Sequence, residues 1–465
     1  MPEYLSPGVY VEEIASAVQA IAGVSTSTAA FIGILPDTVD IPEPNPSYDP
    51  TRKAATAGAP GVVAPPPPDT GSARAGGPSG RAGRTAPAPE PGDGGQTAPA
   101  DSGPAAGGPA AAAAAPDPAL SPFITKQFTI QVAPGESRLV TNFGEFRRTF
   151  GSFSTNSSHN RLVHAAFGFF NNGGSRLYIV RLKSDAELDD ALARLEAVEE
   201  VAIVAAPGLT DASILASIVS HCEKTQNRFA IFDTPEVVAA IDSSMLPADS
   251  RNAALYFPWI QVFDPGLKTR EPDGKGLVFV PPSGHMAGIY ARVDINRGVF
   301  KAPANEVVIG ALGLKVLLSK SQQDGLNPTG VNCIRNMNNN IKPWGARTIG
   351  GSRNHEFTYI NVRRTLLYLR TSIDLGTQWV VFEPNDLSLW AKITRNVTAF
   401  LTNVWHDGAL FGATAAEAFY VKCDRETNPP ETRELGQVIT EIGVAIVRPA
   451  EFVIFRISQW TAPQA

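Results

Sequence analysis

Between residues 177 and 245, short apolar runs alternate with longer stretches of helical spacing, and this alternation limits the possible folds more than any other feature of the chain. Leu177-Tyr178-Ile179-Val180, Val201-Ala202-Ile203-Val204 and Phe229-Ala230-Ile231-Phe232 are continuous and rich in branched or aromatic side chains, as strands covered on both faces are. After the first run, Ser184 stands where a helix would start, and Leu188, Leu192, Leu195 and Val198 keep a helical spacing. Further helices are expected at 211–224 and 236–245. The βαβαβα order predicts a mixed α/β fold with a partly parallel sheet flanked by helices. At 465 residues the chain is expected to be multi-domain, because single cores stop growing near about 250–300 residues.

A parallel sheet binds ligands at the carboxyl ends of its strands, which makes a nucleotide-dependent enzyme the first function to weigh. The loops do not carry that chemistry. Val204 is followed by Ala-Ala-Pro-Gly-Leu-Thr-Asp, with one glycine where a dinucleotide fold needs GxGxxG, and no GxxxxGK followed by Ser or Thr occurs. Asp273-Gly274-Lys275-Gly276 has the composition of a hairpin turn between Val262-Phe263 and Leu277-Val278-Phe279-Val280 rather than of a phosphate cradle. GxSxG and HExxH are absent, and adjacent His221 and Cys222 on one expected helix point about 100° apart, so they form no ready dyad. Cys222, Cys333 and Cys423 are too widely spaced for a CxxC pair and are expected as reduced, mostly buried thiols. His159 and His164 lack a completing acid or Cys, which predicts structural or surface histidines. No catalytic, cofactor-binding or metal-binding residue is expected, and no cofactor.

Net charge of −6 argues against nucleic acid as a partner, since neutralising phosphates requires a basic surface. No segment approaches the roughly 18 continuous apolar residues of a membrane span. The opening MPEYLSPGVYVEEI places Glu3, Glu12 and Glu13 around Val9-Tyr10-Val11, where a signal peptide would have a cationic start and an apolar core. Cytoplasmic assembly without a signal peptide is therefore expected, with Val9, Tyr10 and Val11 as a strand after the turn-like Ser6-Pro7-Gly8. A second terminal strand is expected from residue 451, where Phe452, Val453, Ile454, Phe455 and Ile457 follow one another without polar alternation and need cover on both faces. Strands cannot satisfy their own backbones, so each requires a partner.

From residue 51 to 120, Ala, Gly and Pro make up 48 of 70 residues and no aromatic occurs. Such a stretch cannot bury enough apolar surface to offset its ordering entropy, which predicts disorder or loose polyproline II. Apolar strands precede it at residues 28–34 and follow it at 128–132, so it is expected as an insertion within a domain, a cheap arrangement because closure entropy grows slowly with loop length.

Toward the other end, a helix is expected at 385–405. Asn385 and Asp386 are its capping candidates, and Leu389, Trp390, Ile393, Val397, Phe400, Leu401 and Val404 share one side. Residues 341–400 carry eight Lys or Arg against four acids. Either these form separate salt bridges and helix-end cations, or they make a surface for an acidic protein partner.

Several stretches carry a specific resemblance. Val280-Pro-Pro-Ser-Gly-His-Met-Ala-Gly-Ile-Tyr-Ala-Arg-Val-Asp with Gly298-Val-Phe-Lys-Ala-Pro-Ala-Asn305 resembles the sheath proteins of contractile phage tails and contractile injection systems. Tyr4-Leu-Ser-Pro-Gly-Val-Tyr-Val-Glu-Glu, Phe169-Phe-Asn-Asn-Gly-Gly174, Trp344-Gly-Ala-Arg-Thr348, Tyr359-Ile-Asn-Val-Arg-Arg364, Phe382-Glu-Pro-Asn385 and Pro449-Ala-Glu-Phe452 agree with it, in order, across all but the insertion. The resemblance implies a structural, non-enzymatic subunit that stacks in hexameric rings around an inner tube protein and contracts from a metastable extended state. Its implied partners are further copies of itself, the inner tube, and baseplate and terminal cap proteins. It also implies that the terminal strands, Val9 to Val11 and Phe452 to Ile457, add to sheets of neighbouring subunits, and some of Arg363, Arg364, Lys392 and Arg395 are expected to face the tube. The implied organisation is a donated strand at 1–20, an outer α/β part at 21–40 and 121–340, a disordered insertion at 41–120, and a tube-facing C-terminal sheath domain at 341–465. A static self-assembling shell or layer protein, or a nucleotide-dependent α/β enzyme, are the alternatives.

Overall fold

The computed structural model describes residues 20–49 and 121–456. The expected strand at Val9, Tyr10 and Val11, Ile457 of the second terminal strand, and the tract at 50–120 lie outside them. Within them, β1 (Ala29–Ile34) leads to β2 (Thr38–Pro44), and β3 (Phe123–Thr129) returns antiparallel to it with Phe123 opposite Pro44. Then come β4 (Ser137–Val140), α1 (Phe143–Phe150), α2 (Ser157–Asn171), β5 (Leu177–Leu182), α3 (Leu188–Glu196) and β6 (Ile203–Ala205). The chain continues through α4 (Ala212–Thr225), β7 (Phe229–Asp233), β8 (Ala253–Phe257), β9 (Ile260–Phe263), α5 (Pro265–Arg270) and β10 (Leu277–Val280). Next are α6 (Ser283–Arg297), β11 (Gly313–Leu314), α7 (Lys320–Leu326) and the hairpin of β12 (Val331–Met337) and β13 (Asn340–Pro343).

The alternation produces one sheet of eight strands in the order β13-β12-β8-β7-β6-β1-β5-β4. Its inner strands run parallel, while β4 and β13 close the two edges antiparallel. β1 lies inside the sheet between β5 and β6, although its sequence comes before the insertion. Period-two alternation sends Ala29 and Phe31 to one face and Ala30 and Ile32 to the other. The first face is covered by α1, α2 and α6 through Phe146, Phe150, Leu162, Phe169, Met286 and Tyr290. The second is covered by α3 and α4 through Leu188, Leu192, Ile214, Leu215 and Ile218. Cover on both faces is why β1 and β6 carry no polar side chain.

The packing of α2 on α6 explains the long motif beginning at Val280. A Cβ at Gly284 would lie 2.4 Å from the Ala165 Cα, and one at Gly288 would lie 2.5 Å from the Phe169 carbonyl oxygen. A Cβ at Gly168 would meet the His285 ring at 2.4 Å. The glycines let two backbones approach to a distance no side chain permits.

The described residues form two compact units. The first comprises residues 20–44 and 123–456. Of the second, residues 45–49 and 121–122 are described, and there the Asn45 amide side chain donates to the Ser121 carbonyl at 2.8 Å.

Four expectations need correction. No helix forms at 236–245, where only a short 3-10 turn, Ser243–Met245, occurs and Val237 is exposed. The Asp242 carboxylate accepts from the Ser244 backbone instead, a local bond that competes with helix formation. The strand expected at 128–132 begins earlier, at Phe123, and Ile130 and Val132 are buried beyond its end. The insertion cannot start at 41, because residues 41–44 belong to β2; Pro42 and Pro44 are tolerated in a two-stranded sheet, where each strand keeps an open edge. A domain boundary at 340/341 would cut β13 out of its hairpin with β12.

Candidate assembly surface

Beyond the sheet the chain forms α8 (Ile360–Gly376), α9 (Leu387–His406), α10 (Ala415–Ala418), β14 (Phe419–Lys422), α11 (Pro430–Glu434) and β15 (Glu441–Val444). Of the two expected caps of α9, Asp386 is the one used, accepting from the Leu389 backbone N–H at 2.8 Å, whereas Asn385 caps no backbone group and accepts from the Trp390 indole at 2.8 Å. The apolar side of α9, from Leu389 to Val404, is buried in a separate core with Ile21, Leu369, Leu410 and Phe419. β14 and β15 pair antiparallel as a two-stranded sheet over this core, Phe419 opposite Val444. Past β15 the chain stays zipped, Ala445 donating to Ala418 and Val447 to Ala409.

Four residues later Glu451 enters a clasp. Its carboxylate accepts from Arg347 Nε at 2.8 Å and Nη2 at 2.6 Å, from the Tyr359 hydroxyl at 2.9 Å and from Asn327 at 2.6 Å. Burial opposes the Glu451 charge, yet the bonds from Arg347, Asn327 and Tyr359 hold its carboxyl below the ordinary range. For Arg347, burial would favour the neutral form, but the facing carboxylate raises its guanidinium overall. The clasp joins three of the motifs behind the resemblance, those at 344–348, 359–364 and 449–452. In the sequence they are separate strings, because nothing in local spacing shows that positions about a hundred residues apart share a carboxylate.

Directly after the clasp the chain leaves the body. Phe452, Val453, Ile454 and Phe455 are 70, 69, 79 and 84% exposed, and residues 451–456 pair with no strand among the described residues. Soluble chains rarely hold four consecutive large apolar side chains in water unless the segment meets a partner. Beside it lies a recess of about 540 Å³ lined by Phe300, Trp344, Tyr359, Arg448 and Val453.

The basic window separates into different environments. Arg364 is buried, donating to both Asp294 oxygens at 2.9 and 2.6 Å and to the Thr26 carbonyl at 3.0 Å. Arg363 is also buried, its Nε donating to Asn252 at 2.7 Å. Arg364 therefore has its charge met inside the chain, and Arg363 turns its Nε inward and opens only into a recess, so neither stands on an outer face for a tube to meet, which corrects that expectation; on α8 they turn inward because Asp294 and Asn252 supply acceptors there. Arg353 pairs with Asp249. Arg395 is exposed and Lys392 half-buried on the outer side of α9, with no ion pair among the described residues.

Titratable groups elsewhere serve the core. His159 binds Ser154 and the Phe150 carbonyl, and His164 binds Asp264. Cys222 is buried and pushed up to about 12 by its burial, and the His221 ring beside it in sequence meets Arg228 instead. Lys268 donates to the carbonyls of Pro272 and Gly274, holding the turn at 273–276; because α5 also lies between the antiparallel β9 and β10, their connection is longer than the expected hairpin turn. Among the described residues, no cluster of His, Cys, Asp or Glu could hold a metal, and no helix is long and apolar enough to cross a membrane.

Two family models match consecutive stretches that together make up more than half of the chain: the phage tail sheath protein central domain at 184–349 and the phage tail sheath C-terminal domain at 352–459. The tail sheath protein of Burkholderia phage BcepMu is 26% identical over 210 residues, covering 43% of this chain and 41% of that relative's length. The fold matches a chain of the PVC sheath complex, from an extracellular contractile injection system in the contracted state, with TM-score 0.64, 21% identity and 99% coverage of both chains. It also matches a chain of the six-fold symmetrised baseplate of the anti-feeding prophage, with TM-score 0.61, 22% identity, and 99 and 100% coverage. The chain belongs to the phage tail sheath family.

Proposed function

We propose that this chain is the structural subunit of a contractile sheath, polymerising as stacked hexameric rings around an inner tube protein and contracting to drive that tube through a target envelope. The observation that carries the proposal is the exposed run Phe452 to Phe455, held out from the body by the Glu451 clasp. Burying each of those side chains on a neighbouring copy contributes about 1.5–3 kcal/mol, and a strand laid along a sheet edge adds main-chain hydrogen bonds. A head-to-tail contact of that kind propagates as a helical array. Val9, Tyr10 and Val11 are assigned the same role toward another neighbour, and baseplate and cap proteins close the two ends.

Energy for contraction is stored during assembly. About 1–2 kcal/mol per subunit, small beside ordinary stability margins, sums to a large drive over many cooperating copies. Lys392 and Arg395 are the remaining candidates for contact with the tube. Charge reversal at both should hinder assembly on the tube while sparing tube-free polymers; equal loss of both products would remove them from that role.

Electron microscopy of the full chain expressed alone tests the proposal. Tubular polymers support it, flat sheets point to a static layer protein, and monodisperse particles refute self-assembly. Removing residues 1–15 should leave a folded protomer that forms no sheath. Triggered particles should shorten without ATP.

A further inference from the structure

At the junction between the sheet and α8, two arginines share one aromatic ring. The Arg363 guanidinium lies 5.1 Å from the Phe357 ring centroid and that of Arg251 lies 5.5 Å from it. Arg363 is more than nine-tenths buried, and only its Nε is engaged, by Asn252. Its two terminal nitrogens, and the whole guanidinium of Arg251, have no hydrogen-bond or ion-pair partner among the described residues. Both arginines line a polar recess of about 370 Å³ together with Gln226, Asn252 and Asn354.

The acids nearby do not neutralise this pair. Asp249 is held by both ends of the Arg353 guanidinium, at 2.6 and 2.8 Å. Glu223 is exposed at the rim and forms no ion pair among the described residues. A buried guanidinium that shares a recess with a second one, and has only the exposed Glu223 carboxylate acting on it, is short of negative charge, and the planar fork of Arg is suited to binding oxygen atoms two at a time. Burial, then repulsion from Arg251 and Arg370, outweigh the attraction of Glu223 and push Arg363 down to about 10, so it remains cationic at neutral pH.

We propose that this recess is a binding site for a multiply charged oxyanion of the phosphate type, held between Arg363 and Arg251. Arg251 lies two residues before the start of β8, whereas Phe357 and Arg363 belong to the turn before α8 and its first turns. A bound anion would therefore tie the sheet to the helical layer and stabilise the folded chain.

The test is calorimetric titration of the full chain with inorganic phosphate and with pyrophosphate at constant ionic strength, alongside thermal unfolding. Saturable pyrophosphate binding that raises the unfolding temperature is expected, with weaker binding of phosphate. Arg251→Ala, an exposed position, should weaken pyrophosphate affinity about tenfold or more, since charge-assisted bonds to the anion are lost. Arg138→Ala, on the exposed edge strand β4 and outside the recess, should change it little. Arg363→Lys keeps the charge but loses the fork, and should also weaken binding. Absence of saturable binding by the unaltered chain, or equal affinities for Arg251→Ala and Arg138→Ala, would overturn the proposal.

Discussion

Replacing Asp294 by Leu should unfold the chain more readily than any surface substitution. The side chains of Asp294 and Arg364 are each 3% exposed, and the carboxylate receives two bonds from Arg364 and a third from the Thr26 hydroxyl at 2.6 Å. With Asp294 gone, Arg364 keeps only the Thr26 carbonyl and the face of Tyr290, 4.9 Å from the ring centroid. Leaving a buried charge unpaired costs about 3–5 kcal/mol. Urea unfolding of the unassembled chain, followed by the fluorescence of its six tryptophans, reads this loss. With a slope of about 2.5–3 kcal/mol per molar urea, the midpoint should fall by about 1–2 M. The double variant Asp294→Leu, Arg364→Met removes both charges, and should recover much of the loss because an apolar pair of similar volume is tolerated. A midpoint shift of less than about 0.3 M for Asp294→Leu would refute the reasoning, as would a double variant that loses the sum of the two single losses.

Other expectations concern the clasp, the histidines and the helix contact. Glu451→Gln should speed hydrogen exchange at 445–447 and protease cleavage after Phe452; unchanged rates would mean that the clasp does not moor this segment. Because the folded Glu451 carboxyl is depressed, its contribution is present above the unfolded value near 4.5 and disappears as pH falls through the folded one, so acid should mimic the variant. Burial lowers His285 to about 3 and His159 and His221 to about 4, so the unfolded chain takes up protons that the folded chain refuses. Stability should therefore be full above about pH 6.5 and decline below it, less steeply in His285→Gln; a flat profile between pH 7 and 5 would contradict this. Gly284→Leu should cost about 1–3 kcal/mol or prevent folding, since its Cβ meets the Ala165 backbone; a native unfolding midpoint would exclude that contact.

The parallel sheet was legible because β1, β5, β6 and β7 are buried on both faces, and such strands carry their signature in a few consecutive residues. The helix α9 was legible from its apolar stripe and from Asn385 and Asp386. The stretch 236–245 was not, because its helical composition competes with an Asp242 turn whose outcome depends on packing. β2 was hidden by two prolines that its open edges accept. At the surface, composition showed an excess of basic residues but could not distinguish Arg364, which faces a buried Asp294, from Arg395, which faces outward. The partners of charged side chains come from distant segments, and the same limit concealed the meeting of Arg347, Tyr359 and Glu451.

The pairing of Pro44 with Phe123 has a practical consequence. Adjacent antiparallel strands bring those two backbones within about 5 Å of each other, so whatever lies between them enters and leaves at one point. The sheet strand β1 and the Glu451 clasp are built from residues outside that loop. The hairpin is thus a natural grafting point, where an affinity tag, a fluorescent reporter or a receptor-binding domain with closely spaced termini could replace the native stretch, decorating each subunit without redesigning the scaffold.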